Sequence, residues 1–374
     1  MKILYISNSR LPTEKAHGYQ ILNTCAALAE QGVNITLLIP KRFNDIKQNI
    51  FSYYNITENF AIKKVFCLDF LKLPFLKKFS FLIESFTFAL SAKKYIKDNS
   101  QGFDVIYTRD FIIAKFLKNS GKPIYYEIHT IPKTITKAHE KVWRSCAGIV
   151  AISEGLRNEL KKQGINENKI LVARDAVDIK KFDINFSKSK AREKLHLSQD
   201  KKIIVYAGHL YAWKGADILA QASELLSNDI QVYLIGGMDG DIKIFKNKYK
   251  NKNLHIMGDR SQLEIPLWLR AADLLVLPNS AQERISSHYT SPMKLFEYMA
   301  SGTPIIASRL PSIREIVNES EVDFFMPDDV IDLVKTIKAS ILSKNTQEKT
   351  QKAYEKSKQY SWHNRVEKII NFIL

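Results

Sequence analysis

The sequence predicts an α/β protein of two domains, each a parallel β-sheet covered by helices. Three observations predict this fold class: a length of 374 residues, an ordinary globular composition, and short apolar runs that alternate with helix-period stretches. The length corresponds to roughly two domains, and strands that are apolar on both faces are typical of parallel sheets between helices. The composition excludes disordered, collagen-like and disulfide-rich classes.

The apolar runs form two groups separated by a polar stretch. Residues 178–202 are rich in Lys and Asp, and the alternation starts again after them. We therefore expect a first domain at residues 1–180 and a second at 181–359. Strands are predicted at 3–6, 33–39, 104–107, 123–128 and 148–152 in the first domain, and at 203–207, 230–235, 254–257, 273–277 and 304–307 in the second.

Stretches with the period of a helix connect these strands. The first runs from Ile21 to Ala29 and ends at Gly32, a residue favoured just after a helix. Two Rossmann-like βαβ domains are the simplest arrangement. Open α/β sheets bind ligands beyond the carboxyl ends of their strands, so two sheets facing each other would place a site in the crevice between them.

Several functional classes are disfavoured by missing motifs. Neither domain has the G-x-G-x-x-G motif of dehydrogenases or the phosphate loop of P-loop kinases. The three cysteines, Cys25, Cys67 and Cys146, form neither a C-x-x-C pair nor a disulfide framework, which suits a reducing cytosol. No apolar run approaches the ~18 residues of a membrane-spanning helix, and residues 1–6 are too short for a signal-peptide core.

The charge of the chain is strongly positive. The formal net charge is +17, and residues 1–180 carry 28 basic and 16 acidic side chains, a net of +12. Such a field favours anionic partners, which include nucleic acids, membrane surfaces and phosphorylated substrates.

The segment from Ser291 to Pro304 is the most informative candidate site. Ser291 at the N-cap and Pro292 at the first position predict the start of a helix that ends at Gly302. Its free amides would bind a phosphate if they point into the crevice, and the Glu297 carboxylate could bind the hydroxyls of a ribose. The alternative is a capped structural helix with a solvated Glu.

Lys214 is the second candidate. It precedes a predicted helix in the loop after the first strand of the second domain, where its ammonium could bind a diphosphate. The alternative is one more surface lysine among 56 basic residues.

Histidines mark the corresponding edge of the first domain. His17 and Gly18 follow its first strand, and His129 follows the strand at 123–128. Gly permits close approach of a sugar or phosphate, and a neutral imidazole can bind a hydroxyl. The alternative is that each histidine is structural.

Considered together, these motifs resemble the family-four glycosyltransferases, which are retaining enzymes of the GT-B fold, with two Rossmann-like domains facing across a crevice. The resemblance covers almost the whole chain, and it implies a last helix at about 360–374 that crosses back to the first domain. It is carried by Gly18, residues 31–33, 149–153, 169–172, 176–178 and Phe182, then by 208–215, 272–278, 296–304 and 360–362.

The resemblance assigns roles to individual residues. Glu297 matches the second Glu of the family's motif of two Glu separated by seven residues, which binds the donor ribose; the first Glu falls at Tyr289. Lys214 matches the diphosphate lysine near Gly208, a neighbouring Arg is replaced by His209, and His129 matches a histidine near the transferred sugar. The loop whose amides hold the phosphate is matched by Thr290, Ser291, Pro292, Met293 and Lys294.

The implied reaction transfers a sugar from a nucleotide-diphosphate sugar, with a UDP-sugar favoured, to an acceptor with retention of configuration. The leaving phosphate oxygen takes the acceptor proton, so neither a metal nor another cofactor is expected, and stabilisation of the departing diphosphate is the main catalytic effect. The missing carboxylate at Tyr289 affects the contact to the donor sugar.

The expected acceptor is a lipid-linked or membrane-bound glycan of surface polysaccharide or glycolipid synthesis. Residues 68–97 interleave Phe with Lys, which suits an anionic membrane surface, or else a core helix with a basic face. We expect a cytoplasmic protein, peripheral on the inner face of the cell membrane.

A nucleotide-sugar epimerase and a nucleic-acid-binding protein are the alternative functions; no nucleic-acid motif supports the latter. The donor base and sugar, acceptor, linkage and oligomeric state stay open.

Overall fold

The structure, a computed structural model, describes residues 1–70 and 77–374, with the backbone alone for residues 77–80. By its contacts the chain divides into two units. Unit 1 comprises Met1–Arg174 with Trp362–Leu374, and unit 2 comprises Asp175–Ser361. The first boundary between the two units thus lies after Arg174, whereas the sequence predicts it after residue 180.

Unit 1 is built on a seven-stranded parallel sheet with the strand order β3-β2-β1-β4-β5-β6-β7. The strands are β1 Lys2–Ile6, β2 Asn34–Pro40, β3 Ala61–Val65, β4 Val105–Thr108, β5 Ile124–Ile128, β6 Gly148–Ala151 and β7 Ile170–Val172. The helices are α1 Ala16–Glu30, α2 Ile50–Tyr54, α3 Lys77–Asp98, α4 Phe111–Leu117, α5 Lys137–Ser145 and α6 Glu154–Lys162, with 3-10 turns at Ser100–Gly102 and Glu167–Lys169.

Unit 2 is built on a six-stranded parallel sheet with the order β10-β9-β8-β11-β12-β13. The strands are β8 Lys202–Ala207, β9 Ile230–Ile235, β10 Leu254–Gly258, β11 Leu274–Leu277, β12 Ile305–Ser308 and β13 Asp323–Phe325. The helices are α7 Ile179–Phe182, α8 Lys188–Lys194, α9 Ala216–Glu224, α10 Asp239–Lys248, α11 Ile265–Ala271, α12 Met293–Ala300, α13 Pro311–Arg314, α14 Val330–Leu342 and α15 Thr346–Ser357, with 3-10 turns at Ala212–Lys214 and Lys358–Tyr360 and a π-helix at Ile285–Tyr289.

The β8 strand shows why these sheets are covered on both faces. Its residues alternate between two apolar clusters: Ile203 and Val205 belong to one, and Ile204 and Tyr206 to the other. All four are fully buried. Because both faces are apolar, helices must pack on each side, which positions the carboxyl ends of the strands at one open edge.

The last helix of the chain, α16 Trp362–Ile373, belongs to unit 1. It packs against α1, where the ring centroids of Tyr19 and Trp362 lie 6.3 Å apart. A return of the C-terminal helix to the first domain is what the resemblance implies. None of the helices in the part of the chain that the structure describes combines the length and hydropathy of a bilayer span.

Candidate functional site

The loop after β8 positions Lys214. Gly215, at φ +69°, ends the short turn that carries this lysine, and a side chain there would collide with the carbonyl oxygen of Pro278, 1.8 Å from an ideal Cβ. The Trp213 carbonyl accepts hydrogen bonds from the Ser280 amide and the Ser286 hydroxyl, each at 3.1 Å. Only glycine allows the backbone to approach this closely. These contacts hold the loop against the segment that follows β11.

The α12 helix brings Glu297 to the same edge of the sheet. The hydroxyl of Tyr298 accepts a hydrogen bond from the amide of Ala207, the last residue of β8, at 2.8 Å. Ser291 does not cap the helix as the sequence predicts: Pro292 is the N-cap residue, and the Ser291 hydroxyl accepts from the Asp175 amide at 2.9 Å. The predicted cap was wrong because the serine instead connects α12 to the start of unit 2.

The phosphate-binding amides expected from Thr290 to Lys294 are only partly available. The Thr290 amide donates to the Ile285 carbonyl at 2.9 Å, and Pro292 has no amide hydrogen. Met293 and Lys294 open the helix, where amides have no acceptor one turn earlier. The donors that α12 offers to an anion are therefore these two, at the positive end of the helix dipole.

Lys214, Lys294 and Glu297 form one electrostatic cluster. Burial lowers the pKa of Lys214 to about 8, opposed by the carboxylates of Asp175 and Glu297. Burial raises the pKa of Glu297 to about 7, although both lysines favour its ionised form. Burial and the charge of Lys214 lower the pKa of Lys294 well below its usual value. The structure thus brings Lys214 and Glu297 together, as a shared ligand requires.

Several polar groups near this cluster are buried without a hydrogen-bond partner among the described residues. They are Lys294 Nζ, His209 Nδ1 and both side-chain polar atoms of Asn279. Native proteins rarely leave such groups unsatisfied, so this edge of the sheet suits a polar ligand. Lys294 was predicted only through its amide, and Asn279 was not predicted; its position two residues after the end of β11 was the only signal.

His209 lies beside the lysines, and its imidazole is uncharged near neutral pH. Its ring stacks on Tyr211 with centroids 5.0 Å apart, and the Tyr206 hydroxyl donates to its carbonyl oxygen at 2.6 Å. Burial, followed by the charges of Lys214 and Lys294, lowers its pKa. An uncharged imidazole near neutral pH leaves the positive charge of this site to the lysines.

Tyr289 stands where the resemblance expects a carboxylate. It ends the π-helix Ile285–Tyr289 and is only 4% exposed. The guanidinium of Arg284 lies 5.3 Å from the centroid of its ring.

In unit 1, His129 follows β5 and contacts a buried carboxylate. Its Nε2 lies 2.6 Å from Glu127 Oε1, and Glu127 is 1% exposed. Arg365 of α16 donates to Glu127 Oε2 at 2.7 Å, and the Tyr107 hydroxyl donates to the same oxygen. The charge of Arg365 and the hydrogen bond from His129 overcome the effect of burial and hold the pKa of Glu127 well below its usual value.

The carboxylate fixes the orientation of the His129 ring. Burial, with the charge of Arg109, lowers the pKa of His129 to about 4 despite Glu127. A neutral imidazole that donates Nε2–H to Glu127 leaves Nδ1 as an acceptor. Arg109 also donates to the Gln20 side chain. Sequence reasoning missed Arg109 and Arg365, because only the fold brings β4 and α16 to this histidine.

His17 and Gly18 lie close to this histidine but differ in what surrounds them. Burial and the charges of Arg109, Lys15 and His129 lower the pKa of His17 to about 4. An ideal Cβ on Gly18 would lie 2.1 Å from the Tyr54 hydroxyl oxygen. A protein side chain, Tyr54, therefore makes the close approach to Gly18 that was predicted for a sugar or phosphate.

The segment at 68–97 divides into exposed and buried aromatic residues. Phe81 is 62% exposed and Phe86 47%, whereas Phe88 is fully buried in the core. Leu82 and Leu90 add further exposed apolar surface to α3. Among the Phe and Lys residues of this segment, Lys72 and Phe75 lie outside the described residues, as do the side chains of Lys77, Lys78 and Phe79.

Two glycosyltransferase family models match the chain. The model described as Glycosyltransferase Family 4 matches residues 18–181, and that described as Glycosyl transferases group 1 matches residues 201–342. One model falls in unit 1 and the start of unit 2, and the other falls within unit 2.

Curated relatives and a solved structure are also similar. The D-inositol 3-phosphate glycosyltransferase of Xylanimonas cellulosilytica is 25% identical over 185 residues, 46% of this chain and 43% of the relative. The lipopolysaccharide 1,2-N-acetylglucosaminetransferase of Salmonella typhimurium is 23% identical over 189 residues, 46% of this chain and 48% of the relative. Each match thus spans less than half of the relative. The structure of Anabaena HepE with UDP and glucose has a TM-score of 0.76 at 17% identity, covering 100% of this chain and 99% of that one.

Proposed function

Because the chain belongs to the family-four glycosyltransferases of the GT-B fold, we propose that it transfers a sugar from a nucleotide-diphosphate donor, favouring UDP, with retention and without a metal ion. The proposal is supported most directly by the cluster of Lys214, Lys294 and Glu297 at the carboxyl edge of the unit 2 sheet. The similar structure of HepE was determined with UDP.

The cluster supplies what a diphosphate leaving group requires. The Lys214 ammonium and the first amides of α12 stabilise the negative charge that develops as the glycosidic C–O bond breaks, an electrostatic effect that a preorganised site makes large. The acceptor hydroxyl forms the new bond on the same face of the sugar, and its proton passes to the departing phosphate oxygen. Glu297, once ionised, accepts hydrogen bonds from the ribose hydroxyls.

His129 is proposed to hydrogen-bond a hydroxyl of the transferred sugar through Nδ1. The Glu127 carboxylate supports this role because its Oε1 lies 2.6 Å from Nε2 and accepts the Nε2–H hydrogen bond. Tyr289 offers no carboxylate to the sugar, so we propose that donor-sugar selection depends on other groups.

The acceptor is proposed to be a lipid-linked or membrane-bound glycan at the cytoplasmic face of the cell membrane, in surface polysaccharide or glycolipid synthesis. Unit 1 contains a cavity of about 700 Å³ whose lining includes Arg10, Arg42, Lys47, Lys63 and Lys64. Arg10 and Arg42 form ion pairs with acidic residues; Lys63 and Lys64 are exposed and form none with the residues the structure describes. These lysines, with the exposed apolar side chains of α3, favour an anionic, lipid-bearing acceptor.

A donor screen followed by an acceptor assay tests the reaction. A nucleotide sugar that binds productively raises the melting temperature, because a ligand at 100 times its Kd adds ~2.7 kcal/mol to the free energy of unfolding. With that donor and a lipid-linked acceptor, we expect release of nucleoside diphosphate only when acceptor is present, a product with the donor's anomeric configuration, and full activity in EDTA. Conversion of the donor sugar without acceptor would instead indicate an epimerase.

Liposome co-sedimentation tests the membrane surface. At low salt, the protein is expected to bind vesicles containing anionic lipid more strongly than neutral ones, and Phe81→Ser with Phe86→Ser is expected to weaken that binding. Both phenylalanines are exposed, so the fold should persist; the matched control is Ile244→Ser, an exposed residue of unit 2. Equal binding to neutral and anionic vesicles would exclude the membrane part of the proposal.

A further inference from the structure

Lys294 is a buried lysine whose ammonium has no hydrogen-bond partner in the described part of the chain. The residue is 7% exposed, and its Nζ lies 3.9 Å from the centroid of the Tyr206 ring. A buried charge without a partner destabilises a protein by more than the ring contact returns. A purely structural role would be filled better by an apolar side chain of the same length.

The ammonium lies beside the loop that follows β8. An ideal Cβ on Gly208 would be 3.0 Å from Lys294 Nζ and 3.1 Å from its Cε, so the glycine leaves the space next to Nζ free of a side chain. Gly208 has φ +146°, a backbone conformation that side-chain-bearing residues rarely adopt. The lysine thus extends from the start of α12 toward the loop that leads to Lys214.

The charges around Lys294 favour an anion. Lys214 repels its ammonium, and Glu297 is the acidic side chain that attracts it. Because the pKa of Glu297 is raised to about 7, this carboxyl compensates only part of the charge of two lysines. His209 contributes no fixed charge, since its pKa is lowered.

We propose that the Lys294 side chain is a direct ligand of the donor diphosphate, so that two ammonium groups, Lys214 and Lys294, bind the leaving group from opposite elements of unit 2. This inference rests on the proposed function and adds to it a side-chain contact from the second residue of α12. A bound diphosphate favours the ammonium form of Lys294, which burial and the charge of Lys214 disfavour in the free protein.

Isothermal titration with inorganic pyrophosphate and with nucleoside diphosphates tests this contact. Lys294→Met keeps the length and packing of the side chain and removes the ammonium. We expect the variant to bind both ligands about tenfold or more weakly, as for loss of a hydrogen bond from a charged donor. Its melting temperature without ligand should equal or exceed that of the wild type. Repetition in buffers of different ionisation heat should show less proton uptake than in the wild type.

The matched control is Lys194→Met, which removes another lysine from unit 2. Its Nζ lies 4.8 Å from the centroid of the Phe186 ring, and the residue is exposed. Affinity for pyrophosphate and for the nucleoside diphosphate should remain at the wild-type value in this variant.

The outcomes separate this inference from the proposed function. If the wild type binds neither pyrophosphate nor any nucleoside diphosphate, the proposed function itself fails. If the wild type binds them and Lys294→Met binds equally well, only the Lys294 contact is wrong. If Lys294→Met and Lys294→Gln both unfold, the lysine is structural and the inference is overturned. The inference is also overturned if these variants lose as much affinity for the free nucleoside, which carries no phosphate, as for the nucleoside diphosphate.

Discussion

Arg365 Nη2 lies 2.7 Å from Glu127 Oε2, so the last helix of the chain pairs with a strand residue 238 positions earlier. Both side chains are almost completely buried, at 2% and 1% exposure. Arg365 also donates to the Thr24 hydroxyl and to the Arg174 carbonyl. The pair neutralises the carboxylate that holds His129, and α16 is therefore part of the candidate site in unit 1.

Breaking this pair on one side is expected to destabilise unit 1 strongly. Arg365→Met leaves the Glu127 carboxylate buried without its cation, and Glu127→Gln leaves the guanidinium without its anion, each costing about 3–5 kcal/mol. The double variant should lose less than the sum, because neither charge is left unpaired. Chemical denaturation of the four proteins measures the coupling; strictly additive losses would show that the pair does not act as a unit.

Glu127→Gln also tests whether the carboxylate positions His129, when its activity is expressed per folded molecule. The amide can still hydrogen-bond His129 but no longer carries the charge that stabilises its ring orientation. We expect kcat to fall by about tenfold with little change in donor KM, an effect typical of a lost transition-state interaction. An equal loss in donor affinity and kcat/KM would argue that Glu127 supports donor binding and not the transition state.

The pH dependence of donor use follows from Lys214 and Glu297. Glu297 must be ionised to bind the ribose, so kcat/KM for the donor should rise as pH increases through about 7, the raised pKa of this carboxyl. Lys214 must be protonated to bind the diphosphate, so the value should fall as pH increases through about 8, its lowered pKa. The profile is a narrow bell whose apparent values belong to the coupled pair.

Near-isosteric variants test these assignments. Lys214→Met is expected to lower kcat/KM by about a hundredfold and to leave only the acidic limb of the profile, because the loss of one charge-stabilising donor costs about 3 kcal/mol. Glu297→Gln should remove the limb near 7 while leaving the melting temperature unchanged or raised. If both variants kept the wild-type kcat/KM and both limbs of its pH profile, neither residue would belong to the site.

Gly215 is expected to tolerate no side chain, because an ideal Cβ there lies 1.8 Å from the Pro278 carbonyl oxygen and φ is +69°. Gly215→Ala should destabilise unit 2 by about 2–4 kcal/mol through strain and displaced backbone, and it should weaken diphosphate binding by moving Lys214. Gly240→Ala is the matched control: nothing lies within 4 Å of its ideal Cβ, it is in α10, and alanine favours a helix. Denaturant midpoints and pyrophosphate affinities compare the two.

The sequence predicted the central strands but not three of the four edge strands. The strands β3, β7 and β13 each end the strand order of a sheet, and only β10 among the edges was expected. Central strands such as β8 are apolar on both faces, which makes them visible as continuous apolar runs. The β3 strand, Ala61–Val65, contains Lys63 and Lys64 and is largely exposed, so its pattern resembles a loop.

The site residues that could be predicted are those with a signal in their own segment of the sequence, and those identified only by a contact with a distant segment were missed. Lys214 and Glu297 each lie in a segment whose turn and helix signals can be read locally, and the structure places them in one cluster. Lys294 was named only for its amide, because a lysine in a helix normally reaches solvent. Arg365 gave no local signal, since its partner Glu127 lies on a different element 238 residues away.

Acid sensitivity of unit 1 is expected from His129. Its pKa is lowered to about 4 in the folded protein, against 6.5 for an ordinary histidine. Between these values the unfolded chain binds more protons than the folded one, so the free energy of unfolding falls as pH decreases from 6.5 toward 4. The shift corresponds to up to about 3 kcal/mol. His17, with its pKa also lowered to about 4, adds in the same direction.

Denaturation curves between pH 5 and 6.5 measure this slope while most carboxyl groups stay ionised. His129→Gln retains a hydrogen-bond donor toward Glu127 but does not titrate, so its stability should depend less steeply on pH than that of the wild type. The matched control is His363→Gln, at an exposed position on α16 of the same unit, which should keep the wild-type slope. If His129→Gln were as acid-sensitive as the wild type, the imidazole would have to be protonated in the folded protein, and Nδ1 would then be a donor rather than an acceptor toward a sugar hydroxyl.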